Sequence, residues 1–171
     1  MERVEIYVDN SLYDTVPGSV TNYEVSVGEG QHIIRLVSWD NAGRSSEEIV
    51  NIITDLTPPS IDVLSPENNS QMMYDDNVTI KWNASDNQGI DHYEVRIDNQ
   101  SWINVYKNES IEFFNLSLYN HVVYIKAIDL AGNIGVDSIT ITIDTTPPTV
   151  VITSPANNSV VGGVVSICVS S

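Results

Sequence analysis

The chain has 171 residues and carries 23 Asp and Glu against 7 Lys and Arg, which gives a formal net charge of -16 at pH 7. So acidic a surface repels phosphate backbones and anionic lipid headgroups, which argues against nucleic acids and membrane surfaces as partners. Cys168 is the single cysteine, so no disulfide forms within the chain, and this favours a prokaryotic origin. No stretch approaches about 18 consecutive apolar residues, so we expect no membrane span, and any export signal or anchor is expected outside this segment.

The sequence matches itself at an offset of 89 residues without a gap. The two clearest pairs of blocks are Asp55–Pro59 with Asp144–Pro148, and Asp40–Gly43 with Asp129–Gly132. This period is too long for a solenoid unit and fits one β-sandwich module. We therefore predict a partial module with the later strands over residues 1–56, a complete module over residues 57–145, and the first strands of a further, truncated module over residues 146–171.

The two partial modules leave two interpretations open. In the first, the chain is a fragment of a longer repeat protein. In the second, residues 146–171 donate strands to the partial first module of another copy, because unpaired strand edges are templates for such pairing.

Alternation with a period of two residues runs through the predicted complete module, and no helical period competes with it. In the stretch 77–83, for example, Val78, Ile80 and Trp82 share one face, which places Trp82 in the core. The alternation predicts about seven strands, separated by turns rich in Asp, Asn and Gly. They cover residues 61–64, 77–83, 92–98, 102–105, 110–116, 122–128 and 139–143. Short alternating strands at this spacing are typical of an all-β antiparallel sandwich.

Several stretches resemble known β-sandwich families. Val78–Trp82, Tyr93–Val95 and Ile125–Gly132 resemble the strands of fibronectin type III domains. Val4–Asn10, the Asp-x-Ala-Gly turns and Thr146–Pro155 resemble the Ig-like repeats of bacterial and archaeal surface proteins. The resemblance implies Ig-like or fibronectin-III-like modules in tandem and an exported protein. It says little about function, because such repeats occur in adhesins, cell envelopes and secreted hydrolases.

Paired prolines mark both predicted module junctions, at Pro58-Pro59 and Pro147-Pro148. Proline fixes φ and favours an extended path, so neighbouring modules are expected to keep a restrained orientation. The prolines are also compatible with the start of an edge strand, where a missing N–H group is tolerated. Both interpretations can hold.

Five aspartates are candidate calcium ligands. Asp55 and Asp144 lie at the junctions, and Asp40, Asp86 and Asp129 lie in loops that could approach them. Ca²⁺ binds about six to eight oxygens, several of them from carboxylates. The sequence has no EF-hand loop, however, and aspartate is also an ordinary turn residue that binds nearby backbone N–H groups. A metal role and a turn role therefore both stay open.

Two further patterns concern carbohydrate. Asn-x-Ser/Thr sequons are more abundant than chance predicts, which indicates a glycoprotein, although an Asn- and Ser-rich repeat could contain them by accident. They begin at Asn68, Asn77, Asn83, Asn99, Asn108, Asn115 and Asn157. Trp102 and Tyr106 flank a predicted edge strand, where they could form a stacking platform for a sugar or pack across the sheet.

Catalytic motifs are absent from the sequence. The three histidines, His32, His92 and His121, belong to no His-Glu-x-x-His motif, and no nucleophile elbow or phosphate loop occurs. We therefore predict a non-catalytic spacer or adhesive module of a cell-surface protein, with neighbouring modules, surface glycans or proteins as partners. The alternative is a carbohydrate-binding or spacer module attached to a secreted hydrolase. No cofactor is required, and calcium is the candidate ion.

Overall fold

A computed structural model describes residues 2–73, 77–144 and 146–170. Within these ranges the chain forms fourteen β-strands. They are β1 Arg3–Val8, β2 Ser11–Pro17, β3 Gly30–Trp39, β4 Ser45–Thr54, β5 Ser60–Ser65, β6 Ser70–Met73, β7 Val78–Ser85, β8 Ile90–Ile97, β9 Ile103–Tyr106, β10 Ser110–Phe113, β11 Tyr119–Asp129, β12 Ile134–Asp144, β13 Val151–Ser154 and β14 Cys168–Ser170. The described residues contain no helix that could span a lipid bilayer.

Strands β5 to β12 form a two-layer sandwich, which we call the middle sandwich. One sheet has the order β10-β7-β5 and the other the order β6-β12-β11-β8-β9. The inward residues of the alternating strands fill the space between the sheets, among them Ile80 and Trp82 of β7 and Ile125 of β11. Each such side chain contributes about 1.5–3 kcal/mol on burial, so this core is the main source of stability. The predicted all-β, Ig-like or fibronectin-III-like sandwich is confirmed.

Strand β6 differs from the prediction in two ways. The sequence pattern predicts about seven strands, and Ser70–Met73 is not among them. In addition, β6 pairs with β12 in parallel rather than antiparallel, with Ser70 opposite Ile141. The chain leaves β5 in one sheet and enters β6 at the edge of the other. The segment is short and lacks β-branched and aromatic residues, so it carries no strand signal of its own. Its pairing is decided by β12.

Strands β1 to β4 form a single sheet in the order β2-β1-β3-β4, which we call the N-terminal sheet. Ile6 is buried on it, whereas Leu36 and Val50 are exposed. Strands β13 and β14 form a hairpin whose apolar side chains, such as Ile152, are exposed as well. The predicted module boundaries and any pairing of these parts between copies stay predictions, and Thr145, the predicted end of the complete module, lies outside the described residues.

Turn geometry recurs at the offset of 89 residues. Asp9 and Asp98 have φ values of 49° and 51°, and Gly43 and Gly132 have φ values of 77° and 93°. This left-handed region is open mainly to Gly, Asn and Asp, which explains why these residue types stand in the turns. The loops of the N-terminal sheet and of the middle sandwich are therefore built alike.

Candidate functional site

The segment that joins the N-terminal sheet to the middle sandwich is packed rather than free. Pro59 is buried, and a Cβ atom placed on Gly135 would overlap the Pro59 carbonyl oxygen. The side-chain amide of Asn133 donates a hydrogen bond to the Asp55 carbonyl oxygen (3.0 Å). The start of β12 therefore holds the junction against the sandwich, and only glycine fits at position 135.

Glu29, in the loop before β3, adds contacts to the same junction. The backbone N–H of Leu56 donates to Glu29 Oε2 (2.6 Å), and the Asn87 side-chain amide donates to Glu29 Oε1 (3.2 Å). One carboxylate thus binds both the junction and the loop between β7 and β8. These bonds are exposed to solvent, so each contributes about 1 kcal/mol or less.

Three of the predicted calcium ligands meet at this junction. One carboxylate oxygen from each of Asp55, Asp86 and Asp129 lies within 4.8 Å of the others. Asp55 follows β4, Asp86 follows β7 and Asp129 ends β11. Asp55 is 7% exposed and Asp129 is 2% exposed. The fold therefore concentrates three acidic groups at one largely buried place.

One oxygen of each of these carboxylates has the ordinary turn role of aspartate. The Oδ1 atoms accept backbone N–H groups, from Thr57 for Asp55 (3.1 Å), from Gln88 for Asp86 (2.8 Å) and from Ala131 for Asp129 (2.8 Å). These bonds hold each of the three side chains in its own turn. They do not use the second oxygen of each group.

The second oxygens differ in their partners. The buried Oδ2 atoms of Asp55 and Asp86 have no hydrogen-bond partner among the described residues, whereas Asp129 Oδ2 accepts the Asn133 side-chain amide (2.9 Å). Burial acts most strongly on Asp129 and opposes its ionisation, but the hydrogen bonds from Asn133, Ala131 and Gly132 together hold its pKa below the ordinary value. No Lys, Arg or His in the described ranges forms an ion pair with these three carboxylates.

The other two calcium candidates lie outside this group. Asp40, which stands 89 residues before Asp129, forms an ion pair with Arg44 (2.8 Å) at the position where the middle sandwich has Asn133. Asp144 accepts the backbone N–H of Thr146 through Oδ1 (2.7 Å). Neither belongs to the cluster of three carboxylates found in the described part of the chain. Metal binding itself stays a prediction.

A link between histidine and aspartate that was not predicted from the sequence recurs in the N-terminal sheet and in the middle sandwich. His121 Nδ1 lies 2.7 Å from Asp98 Oδ2, and its Nε2 lies 2.9 Å from the Ser117 carbonyl oxygen. His32 makes the same contacts with Asp9 (2.8 Å) and the Gly28 carbonyl oxygen (2.9 Å). The recurrence of His and Asp at the offset of 89 residues was the available signal.

The arrangement around His121 has the residue types of a Ser-His-Asp triad but not its chemistry. The Ser117 hydroxyl lies 3.3 Å from His121 Nε2, yet that nitrogen already faces a carbonyl oxygen to which it donates. A general base needs a free lone pair directed at the nucleophile. The equivalent of Ser117 in the N-terminal sheet is Gly28, which has no hydroxyl, so the shared role is to tie a loop to a strand.

These links predict how stability depends on pH. The hydrogen bond that His32 donates to the Asp9 carboxylate raises the pKa of His32. Burial lowers the pKa of His121, but the hydrogen bonds to Asp98 and Ser117 outweigh it and raise that pKa overall. A raised pKa in the folded state stabilises fully below the unfolded value of about 6.5, and the contribution is lost as the pH rises through the folded pKa.

We therefore expect the free energy of unfolding in urea to be smaller at pH 9 than at pH 6. In the double variant His32→Gln/His121→Gln this decrease should be much weaker. An equal decrease in the variant would show that other groups cause the pH dependence.

In the predicted sugar platform, cationic side chains lie over the ring of Trp102. Lys126 Nζ lies 3.9 Å and the Arg96 guanidinium 4.8 Å from the Trp102 ring centroid. Arg96 also lies 4.6 Å from the ring of Tyr124. Tyr106, at the end of β9, is 75% exposed. Cation–π packing on the sheet therefore explains Trp102, and sugar binding by Trp102 and Tyr106 stays a prediction.

The asparagine of each of the seven predicted glycosylation sites is exposed. This holds for Asn68, Asn77, Asn83, Asn99, Asn108, Asn115 and Asn157. Exposure is what a glycosylation enzyme and a bulky glycan require. The presence of glycans stays a prediction.

The middle of the chain is similar to a known domain family. Residues 59–122 match a family model described as a bacterial Ig domain. Among solved structures, the fibronectin(III)-like modules of Clostridium thermocellum CbhA are similar, with 19% identity over 83% of this chain and 77% of that chain, and a TM-score of 0.55. This likeness shows the fold. No curated protein matches the chain.

Two more distant structures are also similar. The amphioxus IgVJ-C2 molecule is 11% identical over 82% of this chain and 88% of that one, with a TM-score of 0.44. The endo-beta-1,4-mannanase from Thermotoga petrophila is 10% identical over 54% of this chain, with a TM-score of 0.42. The match covers 21% of the mannanase chain.

Proposed function

We propose that the chain, whose residues 59–122 match a bacterial Ig domain, is a non-catalytic spacer of an exported, cell-surface protein. In this proposal the junction keeps the module before it and the middle sandwich in a restrained orientation. The observation that carries it is the packing of Pro59 against Gly135, since a flexible linker would have no such contact. Neighbouring modules of the same polypeptide are then its first partners.

The contacts around the junction support a mechanical role. Proline supplies stiffness at residues 58 and 59, Asn133 binds the carbonyl of Asp55, and Glu29 reaches Leu56 and Asn87. Together they connect the loop before β3, the junction and two loops of the middle sandwich. A spacer needs such connections, because they prevent one module from rotating relative to the next about the joint.

Two features support a location outside the cell. The seven exposed sequon asparagines suit an exported glycoprotein. The high negative charge keeps a protein soluble and limits association in a crowded surface layer. The histidines bind carboxylates in turns and strands, which supports a role in structure rather than in catalysis.

Small-angle scattering in the presence of EDTA tests the spacer. We expect the wild-type profile to fit one fixed arrangement of the N-terminal sheet and the middle sandwich. In the double variant Pro58→Gly/Pro59→Gly the profile should require an ensemble of orientations, with a broader distribution of interatomic distances. Pro17→Gly, at the exposed end of β2, is the control for replacement of proline as such.

Two results would contradict the proposal. One is a wild-type profile that already requires a broad ensemble. The other is a double variant that scatters like the wild-type chain.

A further inference from the structure

We infer that Asp55, Asp86 and Asp129 form a binding site for a divalent cation, and that calcium is the ion it suits. The site lies at the junction before β5, with one carboxylate oxygen of each residue within 4.8 Å of the others. The inference rests on individual carboxylate oxygen atoms that are buried without a hydrogen-bond donor among the described residues.

The strongest support for the cation site comes from the Oδ2 atom of Asp55. Asp55 is 7% exposed, and this oxygen is buried without a hydrogen-bond donor among the described residues. The buried Oδ2 atom of Asp86 also has no donor in that part of the chain. Buried polar atoms are normally paired, because an unpaired one loses its hydration without compensation. Two residues with such unpaired oxygens, in a cluster where one carboxylate oxygen of each of three aspartates lies within 4.8 Å of the others, are the arrangement that a bound cation completes.

The charge balance leads to the same conclusion. Three carboxylates this close repel one another, and no cationic side chain of the described residues neutralises them. The N-terminal sheet offers an internal comparison, because there Arg44 pairs with Asp40. Asn133 stands at the position equivalent to Arg44, and its neutral amide holds Asp129 in place without supplying charge. The positive charge is then left to an ion.

The donor atoms select the type of ion. All three are carboxylate oxygens, and no His or Cys belongs to the cluster. Zinc, copper and nickel favour nitrogen or sulfur ligands. Magnesium demands near-ideal octahedral geometry, whereas calcium accepts irregular arrangements and completes its shell with water. Ligands that come from the junction and two separate loops suit calcium best.

Binding would have a mechanical consequence. Asp55 is connected directly to β4 of the N-terminal sheet, whereas Asp86 and Asp129 belong to the middle sandwich. An ion shared by all three would add a further connection between the N-terminal sheet and the middle sandwich and so stabilise the joint. This consequence rests on the proposed spacer function, but the binding itself does not.

Calorimetric titration and thermal melting of the full chain, first stripped with EDTA, test the site. With calcium chloride as the probe, we expect saturable binding of one ion, with half-saturation on the order of 0.1–1 mM as in extracellular modules, and a rise of several degrees in melting temperature. Magnesium chloride should bind more weakly.

The variants Asp86→Asn and Asp55→Asn should lose the calcium-induced shift, whereas the control Asp144→Asn should keep it. Each asparagine keeps an oxygen for the turn hydrogen bond. In EDTA, Asp86→Asn should melt at the wild-type temperature or above, because one of three repelling charges is gone. A purely structural role for Asp86 predicts a lower melting temperature with and without calcium.

Three outcomes would overturn the site. They are no calcium-induced shift of the wild-type melting temperature at millimolar concentration, an equal shift in Asp86→Asn and Asp144→Asn, and an Asp86→Asn variant that melts below wild type in EDTA. Scattering in EDTA separates this failure from that of the spacer, because a joint that is rigid without calcium supports the spacer whatever the titration shows.

Discussion

Replacing Gly135 by alanine is expected to lower the free energy of unfolding by about 3 kcal/mol, which is at the upper end of the usual cost of overpacking. The added Cβ would overlap the carbonyl oxygen of Pro59. That oxygen belongs to the backbone of a buried proline, so it cannot turn away as a flexible side chain could. The loss has to appear either as lower stability or as displacement of the junction.

Urea denaturation measures the first effect, and scattering measures the second. Gly28→Ala is the control, because a Cβ at Gly28 meets no atom within 4 Å. Position 46, which is equivalent to 135 in the N-terminal sheet, already carries Ser46. A Gly135→Ala variant with unchanged stability and unchanged scattering would mean that Pro59 does not pack against β12 in solution.

The second large effect is expected for Trp82→Ala. Trp82 is 1% exposed in the core between the two sheets, and its ring meets Tyr93 edge-on with centroids 5.7 Å apart. Truncation removes the buried area and leaves a cavity, so we expect a loss of about 3–5 kcal/mol. That loss is a large part of the stability of a small sandwich.

Trp82→Phe refines this test. The indole Nε1 of Trp82 is buried and has no hydrogen-bond partner among the described residues, so phenylalanine removes an unpaired polar group while it keeps most of the ring. We expect Trp82→Phe to lose much less stability than Trp82→Ala in guanidinium denaturation. Trp102→Ala is the control on the outer surface, and a loss as large as that of Trp82→Ala would contradict the assigned core.

Most of the fold was predictable from local patterns in the sequence. Alternation places Val78, Ile80 and Trp82 on the buried face of β7, and the Asp-x-Ala-Gly blocks predict the turns after β3 and β11. These predictions succeed because side-chain period and turn chemistry are properties of a few consecutive residues. Strand β6 was not predicted, because it forms by pairing with β12, which lies about 70 residues further along the chain.

The candidate site was also only partly predictable from the sequence. The position of acidic residues in the turns and at the junctions follows from the sequence alone, since aspartate is common in tight turns. Which of these residues meet depends on how the strands pack. The tertiary structure brings Asp55, Asp86 and Asp129 together, pairs Asp40 with Arg44, and joins His121 to Asp98. Those distances depend on how separate loops converge at one end of a packed sandwich, and no local period of the sequence encodes that convergence.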